Sequence, residues 1–234
     1  MNANDPNVVL LELVAQKLGE DLRQSLVFVG GAVVGLLVTD PAMPPIRPTT
    51  DVDLICEALV HADYHRIEAR LRDRGFVHDA SHEAPICRWR IGSVAVDVMP
   101  NLQDILGFSN RWYDAALVTA EPVNLPSGLQ IRLVAAPAFL ATKFEAFDGR
   151  GRRDYLSSHD LGDLLAVVDG RDSLLQECRN SPTAIRRFLA SRFSGLLETA
   201  AFMDALPGHL PGDASNQARL PDLERKLAAL ASLQ

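Results

Sequence analysis

Apolar positions recur at helical spacing over residues 6 to 24, where Val9, Leu10, Leu13, Val14 and Leu18 predict an N-terminal amphipathic helix. The period then changes. Leu26 to Val29 is a short apolar run that predicts a strand, and Gly30-Gly31 leads from it into a helix of small residues. "TDPAMPPIRPTT" carries Pro41, Pro44, Pro45 and Pro48 and predicts a loop, because each proline fixes φ and removes a backbone donor. "DVDLI" predicts a second strand, and "HADYHRIEARLRDRGF" a surface helix with Tyr64, Ile67 and Leu71 on one face.

"ICRWRI" and "VAVDVM" both alternate with period two and flank Gly92-Ser93, which predicts a hairpin closed by a type II′ turn. A two-residue loop fixes the register. Ile91 faces Val94, Arg90 faces Ala95, Trp89 faces Val96, and Arg88 falls opposite Asp97. "NLPSGLQIRLV" predicts a further strand pair turning at Pro-Ser-Gly. From Ala136 onward every apolar pattern has helical spacing, with Ser157-Ser158 as an N-cap before "HDLGDLLAVV" and Gly170 as a stop. The expected organisation is an α/β domain over residues 1–135 and a helical C-terminal domain over 136–234.

Composition narrows the class. The chain has 234 residues, 47% of them hydrophobic, which suits a soluble globular protein with a sizeable core. No apolar run approaches the roughly 18 residues of a membrane span. The N-terminus lacks the basic start of a secretory signal. Cys56, Cys87 and Cys178 are widely spaced and read as reduced thiols, so a cytoplasmic location is expected. A net charge of -7 argues against a broad basic surface for nucleic acid and leaves room for a local basic cleft.

Three features carry candidate chemistry. Gly30-Gly31, between a strand and a helix, offers backbone N–H groups to an anionic phosphate, although such a turn is more often only tight. Asp51 and Asp53 are two apart on a strand, so both carboxylates leave the same face, a geometry suited to a divalent cation. On a solvent-facing edge strand the pair would mean nothing more. Asp97 interrupts a third apolar strand. With Arg88 opposite, it forms either a plain ion pair or a carboxylate beside which the guanidinium meets a phosphate.

Taken together, "VGGAVVGLL", "RPTTDVDLI" and "VAVDVMP" resemble the nucleotidyltransferase superfamily of the DNA polymerase β type. "RPTTDVD" is similar to the form seen in its AbiEii-like branch, which includes toxins of toxin–antitoxin and phage-defence systems. The resemblance covers roughly residues 26 to 170. It implies an α+β fold with a nucleotidyltransferase-type mixed β-sheet flanked by helices, then a C-terminal helical region. It further implies Mg²⁺ (or Mn²⁺) held by Asp51, Asp53 and Asp97, with a nucleoside triphosphate as substrate. Gly30 and Gly31 would bind its phosphates through N–H groups. Arg47 and Thr49 belong to the same motif, and Asp97 would act as general base. "ATKFEAFDGRGRRDYLSSHDLGDL" places Lys143 against triphosphate charge and Asp160 as the residue that orients Lys143 or the acceptor. Asp163 competes with Asp160, its plainer role being an exposed helix carboxylate. One departure stands out: nineteen residues separate Gly31 from Asp51, more than the family usually leaves, and the proline-rich loop accounts for the excess.

The acceptor implied is an RNA end, a protein hydroxyl or a small molecule, and a toxin would come with a cognate antitoxin. Arg150, Arg152 and Arg153 are candidates for a nucleic-acid contact or a solvated loop. Trp112-Tyr113 is either a stacking surface or packing, and His159 a helix-cap residue. The alternative to an enzyme is a non-catalytic nucleotide-binding or partner-binding scaffold. A Rossmann-type oxidoreductase fails, because no G-x-G-x-x-G follows the first strand.

Overall fold

The computed structural model describes residues 2 to 150 and 154 to 233. Arg152 and Arg153, singled out above, lie outside them, as does the side chain of Arg150. The strands are β1 (Leu26–Val29), β2 (Asp51–Cys56), β3 (Val77–His78), β4 (Arg88–Ile91), β5 (Val94–Pro100), β6 (Glu121–Asn124) and β7 (Gln130–Leu133). The helices before Ala136 are α1 (Pro6–Ser25), α2 (Val34–Leu37), α3 (His61–Asp73), α4 (Gln103–Leu106) and α5 (Tyr113–Thr119). Those that follow are α6 (Ala136–Arg150), α7 (His159–Gly170), α8 (Leu174–Asn180), α9 (Thr183–Leu197), α10 (Ala200–Ala205), α11 (Ala214–Gln217) and α12 (Leu220–Ala231).

The chain divides into two compact units. The first comprises the chain up to Gly35 together with Arg47–Ala135. Its sheet runs β3-β4-β5-β2-β1-β7-β6 and is mixed, with β2 parallel to β5, β1 parallel to β7 and every other pair antiparallel. β1 lies at the centre, and all four of its side chains are buried, which is why it reads as an uninterrupted apolar run. β2 alternates instead. Val52 and Leu54 are buried while Asp51 and Asp53 are only half-buried, so the acidic pair shares the opposite face. α1 buries Leu11, Val14, Leu18 and Leu22, and is interrupted at Gly19, where φ is 69°. The β4–β5 hairpin has the register its two-residue loop predicts, and Gly92 takes the positive φ of 61° that such a loop requires. The short strand β3 adds to β4 and has no sequence signal of its own.

The second unit comprises Leu36–Ile46 together with the chain from Ala136 on. α6, α7, α9 and α12 enclose a core containing Phe139, Phe144 and Phe193, with the last two rings meeting edge to face at 5.0 Å. The proline-rich segment that lengthens the motif spacing is anchored here. Gly170 O accepts from the backbone N–H groups of Thr39 (2.8 Å) and Asp40 (2.9 Å). The Arg171 guanidinium donates to Leu37 O at 2.7 Å. Arg219, just ahead of α12, donates to Asp40 and to Asp169, each at 2.8 Å. The Ala42 N–H and Arg219 together hold the Asp40 carboxyl below its ordinary range. What reads from its prolines as a passive surface loop is tied at its N-terminal flank, in part by charge-assisted bonds.

Candidate nucleotide and metal site

Two neighbouring strands of the first unit, β2 and β5, bring the acids together. Val29 pairs with Asp53, Asp53 with Asp97, and Asp97 with Arg88, so four successive strands set these residues in one row across the sheet. Asp51 sits two residues away along β2, on the Asp53 side.

Gly30 closes the row. Its φ of 74° and ψ of −163° fall where only glycine is comfortable. A Cβ built on it would lie 1.8 Å from Asp53 Oδ2, so the carboxylate rests directly on the glycine turn. The expected helix after it is short: a 3-10 turn over Gly31–Val33 followed by the single turn of α2. Too few peptides align there for a strong macrodipole, so any anion at this turn is held by the local N–H groups.

Arg88 is the positive partner of the cluster. Its Nε and Nη2 fork onto Asp97 at 2.8 and 2.7 Å, and Nη2 also reaches Asp51 Oδ2 at 3.2 Å. Asp97 is buried and Arg88 half-buried, so the pair is partly desolvated. The hydrogen bond to Asp97, ahead of the charges of Asp97 and Asp51, raises the Arg88 pKa above its ordinary value. Three carboxylates share this face, and Arg88 binds two of them. The donors are hard carboxylate oxygens, the type that Mg²⁺ and Mn²⁺ prefer, so the residues fit such a cation. Among the described residues no three His, Cys, Asp or Glu side chains stand in a ready-made metal cage. Arg88 occupies both oxygens of Asp97.

Thr49 donates its hydroxyl to Asp51 Oδ1 at 2.7 Å and so fixes that carboxylate. Arg47 is exposed and donates to Pro48 O at 3.3 Å. Asn7 holds this stretch in place and is not evident from the motifs. Its buried amide donates to Arg47 O (3.0 Å) and accepts from Thr49 N–H (2.9 Å), bracketing Pro48. The signal was present in the sequence: Asn7 lies four and seven residues before Leu11 and Val14, a polar side chain on the apolar face of α1. Asn7→Ala should lower stability by about 1–3 kcal/mol, because it strands two partly buried backbone groups. Urea unfolding checks this, and an unchanged midpoint would mean that the loop is held by other bonds.

The second unit holds its own cluster. Lys143 Nζ donates to Asp160 Oδ1 at 3.1 Å and to Asp163 Oδ2 at 2.7 Å, with all three residues buried. Asp160 and Asp163 are one turn apart on α7 and therefore share a face. Asp163 is thus not the exposed helix carboxylate of its plainer sequence assignment, since it is buried and binds Lys143. Asp160 does meet Lys143. His159 is exposed at the first position of α7, where Ser158 caps by accepting from Leu161 N–H. Trp112 and Tyr113 open the region of α5; Arg111 stacks on the Trp112 ring, and the Tyr113 hydroxyl reaches Met99 Sδ at 3.1 Å. The three cysteines are buried free thiols, and burial pushes each up to about 12. Among the described residues no helix is long and apolar enough to cross a membrane.

No protein-family model matches the chain, and no curated protein matches it. Solved structures do resemble it. One is a solution structure of the antibiotic-resistance factor ANT(2'')-Ia, 15% identical, covering 82% of this chain and 95% of that one at a TM-score of 0.49. Another is JHP933 from Helicobacter pylori, 13% identical over 95% of this chain and 86% of that one, with a TM-score of 0.43. A third is an H. pylori protein provisionally assigned as a nucleotidyltransferase, 11% identical over 99% and 93% of the two chains, with a TM-score of 0.44. At these similarities the activity of this chain rests on its own residues.

Proposed function

We propose that the protein is a divalent-cation-dependent nucleotidyltransferase of the AbiEii-like kind, moving a nucleotide from a nucleoside triphosphate onto an acceptor hydroxyl. The observation that carries this is the seating of Asp53 directly on the Gly30 turn, with Asp97 beside it on the neighbouring strand. A phosphate held at the glycine turn would lie against the carboxylates that hold its cation. Asp51, Asp53 and Asp97 would bind Mg²⁺ or Mn²⁺, which supplies neutralisation of the triphosphate and a lower pKa for the attacking hydroxyl. The Gly30 and Gly31 N–H groups would position the β- and γ-phosphates, Arg88 would take a phosphate oxygen, and Thr49 keeps Asp51 oriented. The acceptor oxygen attacks the α-phosphorus, pyrophosphate leaves, and Asp97 takes the hydroxyl proton. Lys143, with Asp160 and Asp163 as its anchors, would supply further positive charge for the triphosphate. The acceptor is an RNA end, a protein hydroxyl or a small molecule, and a toxin role would bring an antitoxin as partner.

One observation favours the scaffold alternative: Arg88 already neutralises part of the acidic cluster without any ligand. A thermal-shift series with each triphosphate, with and without Mg²⁺, separates the two. A rise in melting temperature that needs triphosphate and metal together is expected. No such rise with any triphosphate would sink the enzyme assignment and leave the scaffold.

A further inference from the structure

Resting on that proposed function, we infer that Arg88 is a resident counter-cation that keeps divalent metal from settling on Asp51 and Asp97 until a triphosphate arrives, so that metal and nucleotide bind only together. The geometry is specific to this role. A guanidinium cannot lose its proton, so its charge is permanent. Its fork covers both oxygens of Asp97, and the same Nη2 bridges to Asp51 on the strand beyond. A metal arriving alone meets a fixed positive charge and finds the Asp97 oxygens already taken. Thr49 occupies the other oxygen of Asp51, so neither carboxylate has both oxygens uncommitted.

What releases the guanidinium is chemical likeness. Phosphate oxygens accept the Arg fork with the same planar, bidentate geometry as a carboxylate. A triphosphate at the glycine turn therefore offers Arg88 an equivalent partner, and the carboxylates it leaves become ligands at that moment. With a quarter of its side chain exposed, Arg88 can turn without opening the core. Such an exchange replaces one charge pair by another and leaves neither charge stranded. Metal in the absence of nucleotide would have to expel Arg88 with nothing to receive it, at the cost of an unpaired, partly buried cation.

The test is calorimetric titration of Mn²⁺ into the full chain, with and without a non-hydrolysable triphosphate analogue, for the wild type and Arg88→Gln. Wild type is expected to bind Mn²⁺ at least about tenfold more tightly when the analogue is present. Arg88→Gln is expected to bind Mn²⁺ alone at least about tenfold more tightly than wild type does, and to bind the analogue more weakly. If the variant takes up Mn²⁺ no more tightly than wild type, while wild type still binds the analogue in a Mn²⁺-dependent way, the counter-cation role falls and nucleotidyl transfer stands. If wild type shows no metal-dependent analogue binding, nucleotidyl transfer falls and the inference with it. Should Arg88→Gln not fold, the Arg88 Nε–H resonance of the wild type, assigned by its loss in Arg88→Lys, decides the matter. It should shift with Mg²⁺ and analogue together and stay in place with Mg²⁺ alone; no shift with both, or an equal shift with Mg²⁺ alone, overturns the inference.

Discussion

Lys143→Met should destabilise the helical unit by about 3–5 kcal/mol, because it takes the Lys143 ammonium from two buried carboxylates, Asp160 and Asp163. The size of the effect follows from what remains, not from the bonds removed. Both carboxylates are among the least exposed charges in the protein, and they stand one turn apart on α7, so their mutual repulsion adds to the desolvation each suffers. Urea or thermal unfolding reads the loss, and a change below about 1 kcal/mol would show that the carboxylates find other partners. The change also tests the nucleotide role proposed for Lys143. The triple variant Lys143→Met, Asp160→Leu, Asp163→Leu replaces the whole cluster with apolar groups and should recover most of the lost stability. If it recovers stability and also full triphosphate affinity, Lys143 is a structural cation only. Recovered stability with a raised KM places its charge on the nucleotide.

Asp53→Asn should leave the fold intact and lower transfer by about 10³-fold or more, since a metal-binding carboxylate contributes several kcal/mol to charge neutralisation in the transition state. Asparagine has the same shape, so it still fits over Gly30, where no Cβ would be tolerated. The amide removes one of the three negative charges that Asp51, Asp53 and Asp97 place on this face. The melting temperature should therefore stay the same or rise. A marked fall would assign Asp53 to structure, while transfer at the wild-type rate would remove it from the metal site.

The acidic row of the first unit and the Lys143 cluster of the second differ in how much of each the sequence discloses. Asp51, Asp53 and Asp97 are legible because each breaks a period-two apolar strand, and a carboxylate there needs a reason. The Arg88–Asp97 pairing follows from counting outward from Gly92-Ser93, since a two-residue loop leaves no freedom in the register. The strand β3, two residues long, is below what periodicity can detect. Asp163 stays open by local logic, because an acid in the second turn of a helix reads as solvent-facing with or without a buried lysine nearby. Arg219 and Asp40 meet across 179 residues of sequence, and nothing near either position announces the other. Local periodicity cannot report such a bond.

That bond bears on how the chain can be inherited. The helical unit is not one continuous stretch, because Leu36–Ile46 belongs to it while lying between the glycine turn and Asp51. A recombination event with a single breakpoint near Ala136 would import a new set of helices without the segment that Gly170, Arg171 and Arg219 grip. Asp40 would lose its guanidinium, and the incoming helices would lack their proline-rich strap. Exchange of the helical unit alone therefore requires three breakpoints, two of them between the glycine turn and Asp51. Asp40 and Arg219, though 179 residues apart in sequence, are bound to travel together.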